Sequence, residues 1–141
     1  MAMTQQEIVE FWIDKAKDDL EVAILVNNSG KYLHAGFMCH QCIEKALKAY
    51  YIHIHNERQP HQHNLERLAE LGNLLNKMDD CKKSILWKLK PLYIATRYED
   101  DKEEIAATLT KPYCKTLLSE TEVLFKWILD SMKLSDSSQD E

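Results

Sequence analysis

An all-α, up-and-down bundle of about five helices is the fold this sequence predicts, on three observations. Glycine and proline occur three times each in 141 residues, too few for the many turns of a β-sandwich or a Rossmann-type unit. Apolar residues recur at three- and four-residue steps along five stretches, the period of helices that each bury one face. Hydrophobic residues at 45% and charged residues at 29% suit one domain with its own core, placed here over residues 5–133.

Thr4-Gln5-Gln6-Glu7 is a capping-box pattern that starts the first helix. Ile8, Trp12, Ala16, Leu20, Ala23 and Ile24 then mark its apolar face, with Trp12 expected in the core, until Asn27-Asn28-Ser29-Gly30 stops it near residue 28. The second helix, Lys31 to about His55, is apolar on more than one side, as a central helix would be. Residues 56–63 are polar, contain Pro60 and form a loop. Leu65, Leu68, Ala69, Leu71, Leu74 and Leu75 mark the third helix. Asp79-Asp80 caps a fourth, which runs through Leu89 and Tyr93 toward Arg97 and is bent or divided at Pro91. The acidic run Glu99-Asp100-Asp101-Lys102-Glu103-Glu104 reads as a solvated connector. Thr110-Lys111-Pro112 opens the last helix, whose apolar face ends near Lys133, and residues 134–141 are expected to be a disordered acidic tail.

Eighteen Lys and Arg against 23 Asp and Glu give a net charge of −5, which argues against a surface built to embrace nucleic acid, so no stable DNA binding is expected. No stretch is long and apolar enough to span a bilayer, and Met1–Gln6 lacks the start of a secretory signal. Cys39, Cys42, Cys81 and Cys114 stand at irregular spacing among apolar neighbours, which suits reduced thiols and a cytoplasmic location.

Cys39-His40-Gln41-Cys42 is a CxxC, but it lies inside a helix and lacks a second ligand pair, so core packing is the expected role. His53, His55, His61 and His63 fall in one window. On a helix His53 and His55 point roughly 200° apart and do not converge on one ion, so no metal and no cofactor are expected. Arg58 and His63 could together hold a phosphodiester and move its proton. Glu44, Lys45 and Lys48 lie within one helical turn, and Tyr93, Arg97 and Tyr98 cluster at the end of the fourth helix. Such cations and aromatic faces can take a phosphate and a stacked base, or else salt-pair and snorkel over a core.

Taken together, Trp12-x3-Ala16-x2-Asp19-Leu20-x2-Ala23, His40-Gln41-x2-Glu44-Lys45-x2-Lys48-Ala49, His63-Asn64-Leu65-x2-Leu68 and Tyr93-x3-Arg97-Tyr98 resemble the HEPN domain family, over about residues 5–133. The resemblance implies a helical bundle, often a homodimer, frequently encoded beside a minimal nucleotidyltransferase and linked to nucleotide binding and to toxin–antitoxin ribonucleases. The ribonuclease branch carries Arg-x4–6-His late in the domain, whereas here Arg97 is followed at those offsets by Lys102, Glu103 and Glu104. The expected function is therefore a non-catalytic module that binds a nucleotide or another phosphate ligand through Lys45, Lys48, Tyr93, Arg97 and Tyr98, or docks a nucleotidyltransferase in a toxin–antitoxin-like pair. The alternative is a metal-independent ribonuclease toxin using Arg58 and His63.

Overall fold

The computed structural model describes the backbone of residues 2–95 and 99–139 and, outside 94–101 and 134–139, their side chains. Among the described residues six α-helices follow one another: α1 (Gln5–Asn28), α2 (Tyr32–His55), α3 (Leu65–Leu71), α4 (Asp80–Ala95), α5 (Glu99–Thr108) and α6 (Lys111–Gln139). A 3-10 turn, Leu75–Lys77, lies between α3 and α4, and there is no strand among the described residues. The all-α class is as predicted.

Helix boundaries follow local chemistry. The Thr4 hydroxyl accepts from the Glu7 backbone N–H and donates to the Glu7 carboxylate, each at 3.1 Å, so the box closes through the two side chains. At the other end of α1, Gly30 adopts φ +79°, and the Lys31 N–H reaches back to the Val26 carbonyl at 2.9 Å. That left-handed step reverses the chain, and it suits a residue without a Cβ. Asp79 caps α4 by accepting from the Lys82 N–H at 2.9 Å, and Thr110 caps α6 by accepting from Tyr113.

Three expectations are corrected. Helix α3 stops at Leu71, not Leu75, because Asn73 turns left-handed at φ 60° and swings Leu74 into the core. The acidic run 99–104 is not a connector but the first part of α5: carboxylates favour a helix N-terminus, and Ile105 and Leu109 anchor the helix and its exit against the core. Helix α6 continues to Gln139, past the Lys133 end that its apolar periodicity suggested.

Helix α2 is the centre of the bundle. It packs along α1 and also against α6, α4 and α3, and its buried residues include Cys39, Cys42, Ile43, Ala46, Leu47 and Tyr50. Leu117, Leu124 and Ile128 of α6 close the core on another side. Trp12, expected in the core, is partly buried and packs on its margin. Gly36 makes room on α2 for the Leu92 side chain of α4, since a Cβ there would lie 2.9 Å from Leu92 Cδ1.

Candidate functional site

His40, Glu44 and Lys48 lie at successive four-residue steps, hence on one face of α2, and all three are buried. Three polar residues in the most apolar helix need partners, because an isolated buried charge is costly. Glu44 supplies them. Its Oε2 accepts from Lys48 Nζ at 3.1 Å, its Oε1 accepts from His63 Nδ1 at 3.0 Å, and His40 Nδ1 lies 3.9 Å from the same Oε1. Lys48 also stands over the Trp12 ring, 5.7 Å from its centroid.

Tyr93 of α4 ties these groups together. Its ring stacks on His63 at 4.7 Å and 18°, on His40 at 5.1 Å and 29°, and on Phe37 at 6.2 Å and 26°. Burial pushes the His40 imidazole down to about 4, against the opposing pull of Glu44 and a backbone hydrogen bond with His63. His40 is thus a neutral, structural ring at neutral pH.

His63 is different, because 53% of its side chain is exposed. An ionised Glu44 can only accept, so Nδ1 of His63 carries the shared proton and Nε2 is left for solvent or a ligand. The backbone holds it in place: Gln62 Oε1 accepts from the N–H groups of His63 and Asn64, and Asn64 Oδ1 caps α3 by accepting from the Arg67 N–H at 3.1 Å. Asn64→Ala is expected to cost about 1 kcal/mol of stability by removing that cap. Urea denaturation checks this, and Asn64→Gly should cost only a few tenths.

The structure joins some of the sequence-predicted residues and separates others. Lys48 and Tyr93 belong to one cluster through Glu44 and His63. Lys45 turns instead to α1, where it pairs with Asp19. Arg97 and Tyr98 lie outside the described residues. Arg58 is exposed and lines a separate depression of about 260 Å³ with Met3, Gln5 and Ile8, and among the described residues it makes no hydrogen bond or ion pair with His63. No described contact joins Arg58 to His63. Sequence reasoning missed His40 as a site residue and the organising role of Glu44; the signal was three polar residues, His40, Glu44 and Lys48, at four-residue steps on one face of a helix that is apolar on several sides.

The other candidates disperse. Cys39 and Cys42 are buried thiols whose ionisation burial opposes, Cys39 being pushed up to about 11. His55 bonds the Leu71 carbonyl at 2.8 Å and His61 is exposed. Among the described residues no three His, Cys, Asp or Glu side chains are grouped to hold a metal ion, and no helix is long and apolar enough to cross a membrane.

A family model described as HEPN domain matches residues 9–132. The fold is similar to the crystal structure of TT1696 from Thermus thermophilus, with a TM-score of 0.71 and 21% identity, covering 86% of this chain and 96% of that one. A search of curated proteins finds no match.

Proposed function

We propose that this chain, which belongs to the HEPN domain family, binds a nucleotide or other phosphate-bearing ligand at the mouth of the Glu44 cluster. The observation that carries the reading is the 3.0 Å bond from His63 Nδ1 to Glu44, which fixes a half-exposed imidazole with its second nitrogen free. Lys48 already balances the carboxylate, so the Nε2 lone pair of His63 is open to a ribose hydroxyl or a phosphate O–H of the ligand. Three rings lie against Tyr93, which leaves the outer face of His63 as the stacking surface for a base. Lys45 is spent on Asp19 and is expected to matter little.

Calorimetric titration with ATP, GTP and a short oligoribonucleotide tests this. Weak binding, at millimolar concentration or below, is expected, with at least about a tenfold loss in His63→Ala and none in Lys45→Met. No heat with any of the three would end the reading. Pairing with a minimal nucleotidyltransferase follows from the family resemblance, and the open reading frame adjacent to this gene should then encode one.

One observation favours a second reading. A histidine oriented by a buried carboxylate is a proton acceptor, as a ribonuclease needs. Cleavage of single-stranded RNA that is lost in His63→Ala and kept in Arg58→Ala would establish it and leave the arginine without a part.

A further inference from the structure

We propose that the outer face of α1 is a self-docking surface, on which the same helix of a second copy of this chain lies antiparallel. Ile8, Phe11, Lys15, Asp18, Val22 and Leu25 follow one another in alternating steps of three and four residues, the spacing of a coiled-coil seam. Ile8 is partly exposed and the other five are exposed. Three of the six large apolar residues exposed among the described residues fall on this stripe: Phe11 at 46%, Val22 at 39% and Leu25 at 66%. Apart from Ile8, which also packs against the core, the stripe faces away from the bundle, whose contacts with α1 centre on the buried Val9, Ala16, Asp19 and Ala23.

Charge then chooses the occupant and its direction. A parallel copy would set Lys15 against Lys15 and Asp18 against Asp18, which is repulsive. An antiparallel copy related by a two-fold axis between residues 15 and 18 sets Lys15 on the partner's Asp18, Phe11 on the partner's Val22 and Ile8 on the partner's Leu25. Each contact occurs twice, as an isologous interface requires. Moving the register by one heptad would place Lys15 or Asp18 against apolar side chains, so only this alignment satisfies the whole stripe. In the single copy Lys15 lies over the Phe11 ring, with Nζ 4.8 Å from its centroid, which covers part of the apolar surface that the partner would take over. The seam is about 25 Å long, at the small end of specific interfaces. Asp14 and Glu21 flank it with like charge, which physiological salt screens within about 8 Å.

Sedimentation equilibrium across the micromolar range, at physiological ionic strength, is the test. The wild type is expected to reach twice its 16.5 kDa chain mass. Lys15→Asp and Asp18→Lys should each weaken self-association at least about tenfold. The double variant carrying both changes should recover it, and so should an equimolar mixture of the two single variants, since each then offers the charges the other lacks. These are exposed positions, and circular dichroism will show whether the fold is unchanged. A wild type that stays monomeric would overturn the proposal and assign the stripe to another partner. A dimer indifferent to both charge reversals would overturn it equally, by placing the interface on a different face.

Discussion

Glu44→Ala is expected to destabilise the protein by about 3–5 kcal/mol, far more than the loss of one surface ion pair. The Glu44 side chain is 4% exposed and that of Lys48 is 10% exposed. Removing the carboxylate leaves an ammonium group buried without its counter-charge, and His63 and His40 lose the oxygen around which they are arranged. The diagnostic comparison is the double variant Glu44→Leu/Lys48→Leu. Replacing both members of a buried pair by apolar groups is often near neutral, so most of the stability should return while ligand binding does not. Urea midpoints for the two variants decide the matter. A Glu44→Ala loss under about 1 kcal/mol would mean that water reaches Lys48 and that the cluster is not a buried one.

Acidification from pH 6.5 to 4 is expected to remove about 3 kcal/mol through His40 alone. Burial lowers its folded-state pKa to about 4 from the ordinary 6.5, so within this window the unfolded chain binds the proton and the native chain does not. Stability therefore falls as pH falls, is complete above 6.5, and has no further loss from this group below about 4. The charged and titratable neighbours are Glu44, Lys48, His63 and Tyr93. Glu44 pulls the pKa up and Lys48 and His63 push it down, and burial exceeds them all. His40→Gln, which cannot take the proton, should flatten this part of the profile even if its stability at neutral pH is lower. An unchanged slope in that variant would assign the acid sensitivity elsewhere.

The bundle was legible because its signals are local. Thr4, Asn27 to Gly30, Asp79 and Thr110 act within one turn of where they stand in the sequence, and periodicity does the rest. The acidic run at 99–104 misled because its charges read as solvated connector, whereas a helix N-terminus welcomes carboxylates and needs only Ile105 and Leu109 for anchorage. The site was half legible. Lys48, His63 and Tyr93 were each identifiable as polar or aromatic residues able to act. Their assembly depends on Glu44, a residue indistinguishable in sequence from any surface glutamate until α2 is known to be buried on several sides. Lys45 shows the converse, since its partner Asp19 sits 26 residues away on α1, beyond the reach of any helical spacing rule.

The close approach at Gly36 bears on how this sequence can drift. A Cβ at position 36 would displace Leu92 Cδ1, the far end of a flexible side chain, and each further atom at position 36 would favour a smaller residue at position 92. The two positions are therefore expected to vary together, although they lie on different helices. Tyr93 follows Leu92 directly, so any adjustment that moves the α4 backbone also moves the ring against which His40 and His63 are stacked. Among related chains, variation at position 36 should thus travel with variation in the imidazole pair, and a lineage that fills position 36 without trimming position 92 would keep the bundle but lose the alignment of its rings.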